Sequence, residues 1–316
     1  MSVSPEPSAT TDLATRMVEA LNDLHGVHPG HRAVHAKGLC CTATFTATSV
    51  AAGLTRAAHM QGSAVPATVR FSNGSGSPTR HDGARDGRGM ATKFHLPDGT
   101  TTDIVALTLP VFFVRTPEDF LAFTRAQRPD PDTGKPDVAR IEEFVAAHPE
   151  TQLALGFSMF MESPASYAQC RYFGIHAFKW IDADGAERFV RYRWEPEAGE
   201  ATITEEESRA RDRHYLREEV TERLAEGPII FTLNLQLSNE QDDPNDPTTM
   251  WPEEREVVLA GRLEITGLVD DQEAGCEALI FDPTRVTDGI ECSEDQILRA
   301  RPDAYSVSYE RRTATR

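Results

Sequence analysis

The chain is short of positive charge. Lysine and arginine total 32 against 50 aspartates and glutamates, a formal net charge of −18 over 316 residues. Phosphate-rich partners need a basic footprint, so the balance argues against nucleic acid and anionic membrane surfaces. Long apolar runs are missing too. No stretch approaches the roughly 20 residues that span a bilayer, and the N-terminal region lacks a basic segment followed by an apolar one, the mark of a secretory leader. Cysteine is scarce: Cys40, Cys41, Cys170, Cys276 and Cys292 form an odd set of five with no Cys-x-x-Cys pair. They read as reduced, mostly structural thiols of a cytoplasmic protein. His31 and His35 stand four apart, but Arg32 sits where a metallohydrolase needs glutamate and no third ligand follows, which sets zinc aside. NGSGS at 73–77 lacks the Lys-Ser/Thr ending of a phosphate loop, and Ser72 with His35 lacks a nucleophile elbow.

What is present is an ordinary globular composition, 39% hydrophobic and 26% charged. Residues 1–10 are small and polar and read as a disordered start; 11–316 read as a single domain. Leu13, Met17, Leu21 and Leu24 recur at helical spacing before Gly26. Short β-rich runs then follow: CCTATFTATSV, ATVRFS, MATKFHL, DIVALTL and VFFV, with His35 opening the first strand. Thr116-Pro117-Glu118-Asp119 starts a helix. Strands return at FGIHAFKWI and ERFVRYRW around Ala183-Asp184-Gly185. Thr204 and Glu207 form a capping box opening one charged helix up to Gly227-Pro228. PIIFTLNLQLS and VVLAGRLEITGLV are the last clear strands, and a final helix starts at Ser293. Helices inserted between strand groups, rather than alternating with strands, predict an α+β fold: an eight-stranded antiparallel β-barrel with inserted and C-terminal helices.

In that last helix Arg301, Tyr305 and Arg312 are spaced by four and seven residues, close to whole turns, and share one stripe. Such a stripe is either a solvated face or a surface for a planar anionic ligand. Dispersed pieces bear on the choice: His35, Arg70 and Ser72 in VRFS, Asp86 and Arg88 in DGRGMA, and Phe112-Phe113 after Pro110.

VHAKG, VRFS, the D-x-R-G-x-A-x-K-F run from Asp86 to Phe94, LPVFFVR, GIHAFKW, MWP, FDPTRVTDGIECSEDQILRAR and the R-x-x-x-Y ending occur in the order found in the heme catalases. Over residues 28–312 the chain resembles that family, in a minimal, catalase-related peroxidase form. The resemblance implies heme b (iron protoporphyrin IX) with Tyr305 as the iron ligand, an axial phenolate with Arg301 as its counter-charge. It assigns Arg32, Arg70 and Arg312 to the heme propionates, for which arginine forks are suited. His35 becomes the acid–base residue that moves the peroxide proton, Ser72 the residue that orients its imidazole, and Val34 and Phe113 the apolar lining of the pocket.

Two positions depart from the large catalases. Thr108 stands where they place an asparagine, and Gly74 where a valine narrows the channel. Both favour reduction of hydrogen peroxide and organic hydroperoxides with small electron donors, with weak catalase activity at most. The alternatives are a hydroperoxide isomerase or dehydratase on the same barrel, and a non-enzymatic heme-binding protein. NADPH is not predicted, and whether it binds stays open, as does homo-oligomer formation.

Overall fold

The computed structural model describes residues 9–314. Eight strands, β1 (Gly38–Ala47), β2 (Val65–Asn73), β3 (Arg88–His95), β4 (Thr101–Leu107), β5 (Tyr172–Ile181), β6 (Glu187–Pro196), β7 (Ile229–Leu237) and β8 (Val257–Leu268), pair antiparallel. Their order is β5-β4-β3-β2-β1-β8-β7-β6, and β6 pairs back onto β5, which closes the expected barrel. A short strand, Ile290–Cys292, adds to β5 outside the ring. Closure leaves the eight ring strands without a free edge.

Side-chain alternation decides what faces the lumen. Along β1, Leu39, Cys41, Ala43, Phe45 and Ala47 are buried while Thr42, Thr44 and Thr46 are exposed. The lumen is packed with rings: Phe45 lies 5.1 Å from Phe94 and 6.1 Å from Trp194, and Phe71 stacks on Tyr167 at 5.5 Å. A barrel of this size has room for side chains or one small ligand, and here side chains take it. A ligand the size of heme must therefore lie outside the lumen. Arg70 and Ser72, which flank Phe71 on β2, point to that outer side.

Three helices cover it. In α1 (Ala9–His25) the apolar stripe predicted from Leu13 to Leu24 ends at Gly26, whose φ of +87° and N–H bond to Asn22 O (2.8 Å) make it a left-handed cap. In α2 (Pro117–Ala126) Thr116 Oγ1 accepts from Asp119 N at 3.1 Å. In α3 (Gln296–Thr313) Asp295 Oδ1 accepts from Ile297 N and Leu298 N. Leu13, Met17 and Ala20 of α1 pack on Phe120 and Leu121 of α2. Phe123 of α2 and Ile297 of α3 share a cluster with Ile175 of β5, which holds the helices against the barrel.

Several expectations are corrected. α1 begins at Ala9, inside the stretch read as disordered; residues 1–8 lie outside the described residues. Val111–Val114 is not a strand: neighbouring Phe112 and Phe113 stack at 4.3 Å, which strand alternation forbids. His35 lies ahead of β1 rather than opening it. The charged helix is two, Glu205–Ala210 and Tyr215–Glu226, because Asp212 bonds His214 N (2.8 Å) and turns the chain between them. The last helix starts at Gln296, past its Asp295 cap.

The cysteines are not all reduced. Cys40 of β1 and Cys276 form a disulfide across 236 residues, with Cα atoms 5.5 Å apart, which leaves Cys41, Cys170 and Cys292 free. No local spacing announces a bridge between such distant positions. The thiol argument for a cytoplasmic chain falls with it. No helix among the described residues is long and apolar enough to cross a membrane.

Candidate active site

The first half of the site is built around His35. It is the one non-glycine residue with positive φ (+54°) among the described residues, a conformation that costs of order 1–3 kcal/mol and persists only when its surroundings hold it. Its N–H donates to Gly74 O (3.1 Å), its carbonyl accepts from Arg70 Nη2 (3.0 Å), and its Nδ1 meets Ser72 Oγ at 3.0 Å. Gly89 on β3 makes room: a Cβ there would lie 2.8 Å from Ser72 Oγ and 3.0 Å from His35 Nδ1. Burial, and then the charges of Arg70, Arg301 and Arg32, push the imidazole down to about 3. At neutral pH it is an uncharged ring whose Nδ1 is engaged by Ser72.

The second half sits on α3. Arg301 Nη1 donates to Tyr305 Oη at 3.0 Å, as the four-residue spacing predicts, and the Arg301 guanidinium lies 6.0 Å from the Phe112 ring centre. Behind Arg301 is a buried pair that motif spacing did not single out: His176 Nδ1 meets Asp295 Oδ2 at 2.6 Å. His176 Nε2 is buried without a hydrogen-bond partner. Burial, reinforced by the Arg301 charge, holds His176 below the usual histidine range. Asp295 thus caps α3 with one oxygen and orients His176 with the other. That His176 lies inside the quoted GIHAFKW motif was the available signal.

A cationic cluster joins the halves. Arg32 Nη2 (2.8 Å) and Arg312 Nη2 (3.0 Å) both donate to Leu279 O, so Arg312 at the end of α3 meets Arg32 from the segment before β1. Arg32 and Arg70 both pair with Glu277, a residue that sequence reasoning missed. Arg70 Nε is buried with no hydrogen-bond partner. Phe113 lies 5.0 Å from Phe123 in the aromatic cluster, and Val34 is half-buried beside His35. Thr108 follows β4; its Oγ1 accepts from Arg88 N at 3.0 Å, so the hydroxyl has one proton left to donate.

Gly74 does not widen an opening. A Cβ there would lie 2.7 Å from Asp86 Oδ1 and 3.1 Å from Gly87 O, which already accepts Gly74 N–H at 2.7 Å. The other oxygen of Asp86 is held by Ser75 N at 2.9 Å. The glycine serves the close approach of the Asp86–Gly87 turn, and the wider-channel reading is withdrawn.

The Catalase family model matches residues 13–316. A catalase-related peroxidase of Mycolicibacterium paratuberculosis is 43% identical over 94% of this chain and 93% of its own length. One from Synechococcus elongatus is 34% identical over 97% and 90%. The crystal structure of a fungal catalase superposes with a TM-score of 0.80 at 26% identity, covering 89% of this chain and 59% of that one. A family match over nearly the whole chain, on a barrel with this arrangement of residues, means that the chain belongs to the catalase family.

Proposed function

We propose that the chain is a heme peroxidase that reduces hydrogen peroxide and organic hydroperoxides with small electron donors. The observation that carries this is His35, its Nδ1 fixed by Ser72, together with the Arg301–Tyr305 bond on α3. The residues present fit heme b. Arg70 Nε, buried without an acceptor, is the kind of donor that a propionate would satisfy, and a bare buried guanidinium N–H is costly. Tyr305 would hold the iron, Arg301 would balance the phenolate, Arg32, Arg70 and Arg312 would hold the propionates, and Val34 and Phe113 would flank the ring. When bound, the heme supplies the electrons that break an O–O bond, which none of these side chains can donate.

The protein's own contribution is proton handling. Ser72 occupies His35 Nδ1, which leaves Nε2 to take the proton from one peroxide oxygen and return it to the leaving oxygen. The products are water or an alcohol, with the electrons restored by the donor. Thr108, whose Oγ1 already accepts from Arg88 N, would offer the substrate a single short O–H. Oxidising a second hydrogen peroxide requires that small molecule to be held in place, so this step suffers more than the first cleavage. A carrier has no use for the His35–Ser72 pair, and the peroxidase relatives favour donor oxidation over isomerisation. The test is the absorbance spectrum of the purified protein with a peroxide-dependent chromogenic donor assay. Heme-loaded protein that oxidises no donor and rearranges hydroperoxides would overturn the reading.

A further inference from the structure

The anion in the arginine cluster is Glu277, and its position is not accidental. Cys40 of β1 pairs in register with Arg70 of β2, so the two side chains stand side by side on the barrel's outer face. The disulfide from Cys40 therefore delivers Cys276, and the next residue Glu277, directly over Arg70. The same turn grips Arg32 three times: through Glu277, through Cys276 O (3.1 Å) and through Leu279 O (2.8 Å). Burial and the like charge of Arg70 disfavour the Arg32 cation, and Glu277 opposes both. Arg32, Arg70 and Arg312 bring three positive charges and Glu277 one negative. The remainder matches the two propionates of heme b. Glu277 thus keeps like-charged guanidiniums together without using up the charge the cofactor needs.

We propose that Glu277 is a positioning residue of the heme site, and that the Cys40–Cys276 disulfide clamps it over the arginines, so that the thiol state of this pair sets how firmly the chain keeps its heme. This rests on the heme reading above. Both sulfurs are buried, so a reductant acts only when the turn around Glu273–Glu277 opens. A dithiol then gives the pair two electrons and two protons, leaving thiols at Cys40 and Cys276 and an oxidised dithiol. Glu277 is then held to the cluster by its ion pairs alone, and the arginines lose their fixed anion whenever the turn moves away.

The experiment follows heme transfer from the holoprotein to excess apomyoglobin by its absorbance change. Mass spectrometry of the unreduced protein first counts the free thiols. Disulfide-intact wild type should release heme slowly. Dithiol-reduced wild type, the Cys40→Ser/Cys276→Ser double variant and Glu277→Gln should each release it about tenfold faster or more, the size expected for a lost charged hydrogen bond. Glu277→Gln placed in the double variant should add little, because both changes remove the same restraint. Release rates that ignore the disulfide, or effects that multiply independently, would overturn the proposal while leaving the peroxidase reading intact. Free thiols at both positions in the native protein would do the same. A chain that takes up no heme would overturn the functional reading and this inference together.

Discussion

Gly89→Ala tests the site where its tolerance is smallest. Ordinary van der Waals contact begins near 3.4 Å, whereas the added methyl would stand 2.8 Å from Ser72 Oγ and 3.0 Å from His35 Nδ1. Ring and hydroxyl must therefore give way by roughly half an ångström, against a core packed too densely to absorb it freely. An error of about 1 Å costs on the order of 10²-fold in rate, so half of that predicts about tenfold. Losing the 3.0 Å Ser72 bond frees the ring further, which puts the expected loss between about 10- and 100-fold. Overpacking also costs about 1–3 kcal/mol of stability. The assay is stopped-flow mixing of heme-loaded protein with hydrogen peroxide, beside a urea melt. Adding Ser72→Ala removes the nearer contact but not those to the ring, so part of the stability should recover while the rate stays low. A Gly89→Ala protein with wild-type rate and stability would refute the reasoning.

Four further outcomes are expected. Tyr305→Phe should lose or badly weaken heme binding; a fully loaded variant with an unchanged spectrum would remove Tyr305 as the iron ligand. His35→Ala should keep heme but react with peroxide at least about 10²-fold more slowly, the low end for a positioned acid–base group, and equal rates would reduce His35 to packing. Thr108→Asn should raise oxygen evolution from hydrogen peroxide relative to donor oxidation, and an unchanged ratio would make Thr108 neutral. His59 is buried and held down to about 4 by desolvation. The unfolded chain, near 6.5, binds the extra proton first, so stability is lost as pH falls from there towards 4, by about 2 kcal/mol at pH 5. His59→Phe should flatten that part of the curve, and urea midpoints that fall equally in both proteins would exclude it.

The parts legible in the sequence are those whose cause is local. A strand shows its alternation, and Gly26, Thr116 and Thr204 announce helix ends because a cap bonds within its own turn. The Arg301–Tyr305 bond was readable for the same reason, since four residues make one helical step. Val111–Val114 was misread because its apolar composition suits a strand, while the stacking that bends it depends on Phe120 and Phe123 of α2. The disulfide and Glu277 were illegible outright, as both depend on a turn brought onto β1 from far along the chain. Gly74 was misjudged because a missing side chain looks like space until the neighbour that fills it is known.

His35 shows how the long-range part is nonetheless encoded economically. Its three holders are Arg70, Ser72 and Gly74, alternate positions of β2 and its continuation, and each takes a different group: carbonyl, imidazole and amide. Alternation places the Arg70 and Ser72 side chains on the outer face, with Phe71 between them locked into the ring-filled lumen, while Gly74 contributes its backbone carbonyl just past the end of β2. A slip of one residue in the pairing of β2 would turn both side chains inward together, so the register set by the core also sets how His35 is held. Arg70 belongs to both groups, since it donates to the His35 carbonyl and pairs with Glu277 in the cationic cluster. Whatever anion settles on that cluster therefore pulls on the residue that holds His35 in its strained conformation. The arginine cluster and His35 are in this way parts of one mechanical unit.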